Sequence, residues 1–347
     1  MTVEASDGEL SAQSTFSIEV TDAVERSRDG EGNEYVVGTA GDDEIDGGDG
    51  NDTLEGGFGA DMLSGGAGAD IFAGTLAEFD RDTIEDFSGE DVLSVQGASL
   101  PFDGLDLLAE PVRLVIEDGN GGSATVSLGE DLQGGGFMLS RTAEGTTEIR
   151  YVDDLVSLNE GERVADADIN GIANADYLSG DNSSSFTVTL QASGAAFQNI
   201  LGSYEIAEGG TISAVQVIAY DTSIVGNSVT VEDVDAGSTL GFFLIQDGAS
   251  RFAKSDLTDL AIDSSSGTAV LTSGGSALDA KIFVSHDPSL NVDAQQHVLS
   301  GAADDGSGSL RLGFEDLERQ AGAPSDDDFQ DVVFQVEAIQ PVDAIGI

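Results

Sequence analysis

Residues 38–73 read GTAGDDEID GGDGNDTLE GGFGADMLS GGAGADIFA, four nonapeptides in unbroken succession, and Gly74 comes directly after them. The sixth position is aspartate in every repeat (Asp43, Asp52, Asp61, Asp70) and the eighth is large and apolar (Ile45, Leu54, Leu63, Phe72). The fourth is always glycine (Gly41, Gly50, Gly59, Gly68). Self-similarity at a short fixed period marks a stacked architecture, in which each unit buries its apolar side chain only against its neighbours. A flexible glycine-rich linker with solubilising acids would share this composition. It would have no reason to hold three positions in phase through four repeats.

The pattern resembles the RTX, or hemolysin-type, calcium-binding nonapeptide repeat. That resemblance implies a parallel β-roll, each repeat being a six-residue turn and a three-residue strand. Two repeats then complete one coil of a flattened spiral, so repeats one and three stack on one edge and two and four on the other. Calcium takes about six to eight hard oxygens at flexible geometry, which stacked carbonyls and one carboxylate per turn can supply. Asp43 is expected to meet Asp61 across one ion, and Asp52 to meet Asp70 across another. Gly41, Gly48, Gly50, Gly57, Gly59, Gly66 and Gly68 belong to the same metal set, because glycine at positive φ lets two backbones close on a shared ion. The eighth-position side chains form a thin inner core.

The chain has 347 residues, room for two or three domains. Its 66 acidic against 12 basic residues give a formal charge of −54, which repels nucleic-acid backbones and anionic lipid and excludes both as partners. A hydrophobic content of 39% is nonetheless enough to build a core. With no cysteine there is no disulfide, thiolate metal site or cysteine nucleophile. The start, MTVEASD, lacks the basic and apolar regions of a secretory signal peptide, and the longest apolar runs, such as 240–245, fit strands rather than a membrane span. The expectation is an extracellular or cell-surface protein, secreted without an N-terminal signal peptide and without membrane insertion, or a piece of something longer. The RTX resemblance implies a type I secretion channel as partner, reading an uncleaved signal in 332–347, which ends in apolar residues after an acidic stretch.

Residues 78–95, EFDRDTIEDFSGEDVLSV, resemble the segment that closes such rolls, with Ile84, Phe87, Val92 and Leu93 apolar and Asp80, Asp82 and Asp86 acidic. Asp80 or Asp82 is expected to complete a further ion site against Asp61 or Asp70. Asn120-Gly121, between RLVI (113–116) and ATVSL (124–128), is a hairpin signal, and a second hairpin is expected around Gly145. These assignments divide the first half into a polar linker at 25–37, the calcium roll at 38–75 and a β cap at 76–152. Residues 1–24 look like the last two strands of a cadherin-like or other immunoglobulin-type repeat, with 14–20 alternating as an edge strand.

After a connector at 153–182, residues 183–340 form a second β-rich unit, followed by a tail at 341–347. The unit resembles a domain family of unassigned function found beside RTX repeats in bacterial surface adhesins. The matching pieces are Phe197-Gln198-Asn199, Leu201-Gly202 and Tyr204, then LGFFLIQDG (240–248), GFEDL (313–317) and DDDFQDVVF (326–334); Gln330 replaces the asparagine usual in that family. Leu317, Phe329, Val333 and Phe334 would anchor two loops and bring Glu315 and Asp316 against Asp326, Asp328 and Asp331. Five uncompensated carboxylates in one place repel, and calcium is the simplest remedy; a solvated acidic face is the alternative.

The two histidines, His286 and His297, occur without HExxH, and neither a GxSxG elbow nor a phosphate-binding GxxxxGK[ST] is present. No catalytic or cofactor-binding residue is assigned, and an enzyme is not expected. The fold class expected is all-β, a parallel β-roll with a β cap followed by a β-sandwich-like domain. The expected function is an extracellular calcium-binding surface or adhesin-type module that folds with calcium and binds a glycan or matrix ligand. The alternatives are a secreted hydrolase carrying RTX repeats and a purely structural spacer.

Overall fold

The computed structural model describes residues 2–6, 11–15, 26–28, 32–98, 100–101, 105–109, 112–129, 132, 135–142, 146–156, 158, 162–195, 197–303, 307–319 and 325–339. The described residues are nearly all β, a short parallel roll whose two sheets are extended by further strands, mostly antiparallel, followed by a sandwich.

One roll sheet stacks Arg26–Arg28, Glu44–Asp49, Met62–Ala67 and Thr83–Ile84 in parallel; the other stacks Tyr35–Val37, Thr53–Glu55, Ile71–Thr75 and Val92–Gln96. The pairing Glu44↔Met62 and Thr53↔Ile71 advances by two nonapeptides per coil, as the sequence period dictates. The apolar eighth position is what faces inward: Ile45, Leu54, Leu63 and Phe72 are 0–2% exposed. The last coil is longer, since Met62 pairs with Thr83 and Ile71 with Val92, and it brings Phe79, Ile84, Phe87 and Leu93 into the same core.

The stretch expected to be a linker, 25–37, departs from that expectation. Arg26–Arg28 and Tyr35–Val37 pair in parallel with the first roll strands, so the roll begins a coil earlier than Gly38. Residues 29–37, DGEGNEYVV, keep the fourth-position glycine (Gly32) and the eighth-position apolar residue (Val36), with Glu34 where the aspartate stands elsewhere. A longer side chain with the same charge disguises the repeat without breaking it.

Beyond the coils, Ser123–Leu128, Val112–Glu117 and Leu105–Ala109 extend one sheet, and Thr147–Val152 and Gly136–Arg141 extend the other. Both antiparallel pairs fall where the hairpin signals lie, with Glu117↔Ser123 and Arg141↔Thr147 as their last registers. Thr2–Ser6 and Ser11–Thr15 form an antiparallel pair; residues 16–20 of the expected edge strand lie outside the described residues.

The sandwich sets a five-stranded antiparallel sheet (Ser228–Val231, Phe186–Ala192, Val332–Ala338, Leu310–Phe314, Val298–Ala302) against a four-stranded one (Ile212–Ala219, Ile200–Ala207, Ser238–Ile245, Ile282–Val284). Phe186, Leu312 and Phe334 meet Leu201, Phe242 and Leu244 between them. The run LGFFLI is apolar without alternation because its strand is covered twice. Phe242 and Leu244 face the first sheet, while Phe243 and Ile245 pack with Ile262 and Leu271 of a small third sheet.

The connector at 153–182 is a packed seam. Asp154 bridges to Ala302, Asn170 exchanges hydrogen bonds with the Ser300 backbone, and Tyr177 Oη accepts from Ala338 N at 3.0 Å. Met138 and Val152 of the cap share a buried cluster with Tyr177, Leu178 and the sandwich core. Val164 is buried with Leu299 and Phe329 of the sandwich, and Leu155, Leu158 and Ile169 pack against them, so the seam combines side-chain to backbone bonds with apolar contacts that follow no regular period.

Candidate metal centres

Along each turn edge of the roll the aspartates stack. Asp43 N donates to Asp61 Oδ1 at 2.9 Å, and Asp61 N to Asp82 Oδ1 at 3.0 Å. On the other edge Glu34 N donates to Asp52 Oδ1, Asp52 N to Asp70 Oδ1 and Asp70 N to Asp91 Oδ1, at 2.8, 2.8 and 2.9 Å. One carboxylate oxygen therefore ties each coil to the one before. The other oxygen faces the turn, and for Asp52 and Asp61 this Oδ2 is buried without a hydrogen-bond partner. All six aspartates of the two ladders are at most 3% exposed. Burial pushes the Asp82 carboxyl up to about 7, against the opposing pull of the Asp61 N–H, and burial likewise raises Asp61, Asp70 and Asp91.

The glycines shape the space at these oxygens. Gly48, Gly57 and Gly66 lie at φ of 102°, 93° and 97°, and Gly50, Gly59 and Gly68 at 142°, 153° and 137°; the Gly41 carbonyl abuts Gly59. Gly47 shows the cradle most directly. A Cβ there would lie 2.4 Å from Asp52 Oδ2 and 2.7 Å from the Gly65 carbonyl, so two oxygens converge where only hydrogen fits. Convergent hard oxygens, one an unpartnered buried carboxylate, are the donor set that calcium takes. Gly47→Ala is accordingly expected to cost about 1–3 kcal/mol by overpacking and to weaken calcium binding at that edge. Gly89→Ala, whose nearest neighbour would be Tyr151 O at 3.6 Å, should change neither. Calorimetry in saturating calcium compares the two variants, and equal midpoints would count against this geometry.

Of the two acids expected to extend the ladders, Asp82 stacks on Asp61, whereas Asp80 stands outside and accepts from Thr125 N at 3.3 Å. The nonapeptide count passes over Asp91. It heads the triplet Asp91-Val92-Leu93, which repeats the sixth-to-eighth pattern as Asp82-Thr83-Ile84 does, but each sits three residues late for that count. Asp86 serves the backbone instead, since its carboxylate accepts from Ser64 Oγ, Gly65 N and Gly66 N and closes the end of a turn.

The second candidate centre lies at one end of the sandwich. Phe314↔Val332 is the last register between Leu310–Phe314 and Val332–Ala338, so Glu315 and Asp331 leave the ladder side by side. Asp316 N donates to Asp331 Oδ2 at 2.7 Å, and Asn199 Nδ2 donates to Asp316 Oδ2 at 2.5 Å. In the facing loop Asp327 and Phe329 both adopt φ of 56°, a costly conformation for such residues. The zigzag sends Asp327 to Arg319 Nε (2.6 Å) and Arg163 Nη2 (3.2 Å), and Phe329 into the core beneath the Arg319 guanidinium. Asp326 and Asp328 come to Glu315 instead. Glu315, Asp316, Asp326, Asp328 and Asp331 are thus gathered, and among the described residues no lysine or arginine pairs with Glu315, Asp316, Asp326 or Asp331. Burial, with Asp316 and Glu315 adding their charges, pushes Asp331 up to about 9; burial raises Glu315 to about 7 and Asp316 in the same direction. Gln330 keeps a contact of its own, Nε2 donating to Leu158 O at 3.1 Å.

Nothing in the sequence points to the frame behind this cluster. His297 Nδ1 meets the Glu315 carbonyl at 2.9 Å and its Nε2 meets Asp293 at 3.0 Å, while Asp293 Oδ2 accepts from Arg319 N. His286 lies elsewhere, on Tyr204 Oη at 2.6 Å.

Residues 29–63 and 47–76 match the family described as RTX calcium-binding nonapeptide repeat (4 copies), and residues 234–339 match the domain of unknown function DUF4114. No curated protein matches the chain. Among solved structures it is similar to the AlgE6R3 subunit from the Azotobacter vinelandii mannuronan C5-epimerase, at 26% identity over 32% of this chain and 80% of that one, with a TM-score of 0.22. The matched repeats begin at residue 29, ahead of Gly38 and so within the extra coil, and the DUF4114 match contains the whole acidic cluster. The roll is thus the part of the chain that matches the RTX calcium-binding nonapeptide repeat, and the sandwich contains the part that matches DUF4114.

Proposed function

We propose that this chain is an extracellular surface or adhesin-type module that folds on calcium and presents its sandwich to a glycan or matrix ligand. The observation that carries the calcium part is the pair of aspartate ladders whose buried Asp52 and Asp61 Oδ2 atoms lack a partner. The ions would be held by Asp43, Asp52, Asp61, Asp70, Asp82 and Asp91 with the turn carbonyls, and the acidic cluster of the sandwich would hold calcium as well. Calcium supplies positive charge and coordination there, joining coils that bury little apolar surface of their own. A roll of this kind stays unfolded where calcium is scarce and folds where it is abundant, which suits passage through a type I channel. Residues 340–347 lie outside the described residues; removing them is expected to abolish export while leaving the folded protein intact, and unchanged export would overturn the secretion part.

The ligand part is tested on an array of glycans and matrix proteins, in calcium and in chelator. Calcium-dependent retention is expected. A structural spacer is the second reading, favoured by the buried seam through which Met138, Val152, Tyr177 and Leu178 join cap to sandwich. Absence of retention on every surface would leave that reading standing and remove the first.

A further inference from the structure

We propose that the acidic cluster of the sandwich is a two-calcium centre bridged by Glu315, with a more enclosed inner ion and an outer ion open to solvent. This rests on the reading of that cluster as a calcium site and specifies its nuclearity.

The carboxylates fall into two triads, Glu315–Asp316–Asp331 and Glu315–Asp326–Asp328, each with its ligand oxygens within 4.8 Å of one another. Oxygens on opposite sides of a calcium ion stand up to about 5 Å apart, given metal–oxygen distances of about 2.3–2.6 Å. Each triad is thus the size of one coordination shell, and the two share Glu315 alone. One divalent ion would leave three of five negative charges uncompensated in a cluster whose Glu315, Asp316 and Asp328 are buried; two bring the set to within one charge of neutrality.

Glu315 itself supplies the independent sign of a ligand. Its side chain is fully buried, Oε1 accepts from Leu317 N at 3.1 Å, and Oε2 is left without a partner, the neighbouring Ser325 hydroxyl being engaged by Asp327 Oδ1 at 3.0 Å. A buried carboxylate oxygen without a partner is costly unless a cation meets it. The acids around it have been sorted: Asp327, in the middle of the same run, is turned away onto Arg319 and Arg163, while Asp326 and Asp328 on either side are turned in.

The two shells differ in access. In the inner triad Glu315 and Asp316 are buried and Asp331 is half-buried, and Asp316 and Asp331 are fixed by the Asn199 amide and the Asp316 N–H; the outer triad has Glu315 and Asp328 buried as well. The outer triad contains Asp326, which is exposed. The inner ion is therefore the more enclosed of the two and the structural one. The outer one keeps coordination positions for water, and these are the positions that a hydroxyl or carboxylate oxygen of a ligand would take.

The test is the calcium content of the full chain by equilibrium dialysis at saturating calcium, wild type against variants, so that the roll contributes equally to all. Glu315→Gln is expected to lose two ions, Asp326→Asn one, Asp316→Asn one, and the double variant Asp316→Asn/Asp326→Asn two. Glu208→Gln, an exposed acid elsewhere on the sandwich, should lose none. Loss of a single ion from both Glu315→Gln and the double variant would overturn the two-ion centre while leaving calcium at the cluster. Loss of none from either would overturn the calcium reading of the cluster too. Should Glu315→Gln fail to fold, the double variant, which keeps Glu315, decides alone.

Discussion

Chelation of calcium is expected to unfold the roll and to lower the thermal midpoint of the chain sharply, with much of the far-ultraviolet strand signal of its first half lost. The reason lies in how little else holds the coils. Each nonapeptide between 38 and 73 buries one large apolar side chain, Ile45, Leu54, Leu63 or Phe72, whereas its turn carries a buried aspartate stacked on another aspartate. Without an ion those stacked carboxylates face one another and the converging carbonyls. A site occupied at about a hundred times its dissociation constant contributes about 2.7 kcal/mol, and two stacked sites roughly double that, a large part of the stability of an ordinary domain. Asp52→Ala should reproduce part of the loss in saturating calcium, since it removes an unpartnered ligand oxygen and the acceptor for Glu34 N together. Circular dichroism and melting with and without chelator check this. Unchanged strand content and midpoint would sink the calcium-dependent fold.

Individual residues mark how far the sequence reaches. The nonapeptide phase is enough to place Asp43 over Asp61 and Asp52 over Asp70, because a roll fixes which turns stack once its period is known. Asp91 escapes because the last coil is three residues longer, and a count by nines steps past it even though its local triplet conforms. The first coil escapes for a different reason: Glu34 breaks the consensus in identity but not in charge or place. In the sandwich, apolar anchors flank both GFEDL and DDDFQD, and they suffice to bring the two loops to one cluster. They do not reveal that Asp327 turns away. That depends on left-handed backbone at Asp327 and Phe329, and on Arg163 and Arg319 converging on Asp327 from separate segments of the chain. No local pattern records such a convergence.

In chelator, stability is expected to fall as pH rises from about 5 to 9, and in saturating calcium the fall should disappear or reverse. Asp331 is raised to about 9 and Glu315 to about 7 in the sandwich, which does not depend on the roll's ions for its core. Unfolded aspartate and glutamate titrate near about 3.9 and 4.3. Folded protein thus binds these protons more tightly. Their contribution to stability is fully present below about pH 4 and is lost as pH climbs through 7 and then 9. Asp293 has the opposite sign. Burial works to raise it, yet the His297 and Arg319 N–H bonds hold it down to about 2, so its contribution is lost only in acid, as pH falls below about 4. Calcium inverts the upper window, because an ion that occupies the same oxygens need no longer displace protons as pH rises. The gap between the midpoints with calcium and with chelator should therefore widen from about pH 5.5 to about 8.5. The net charge of −54 adds a general decline in the same direction, which Asp331→Asn separates: it removes the group titrating highest while keeping an acceptor for Asp316 N. In chelator that variant should hold its midpoint between about pH 7 and 9 better than the wild type. A calcium effect of equal size at both pH values would show that these carboxylates are not where the ion acts.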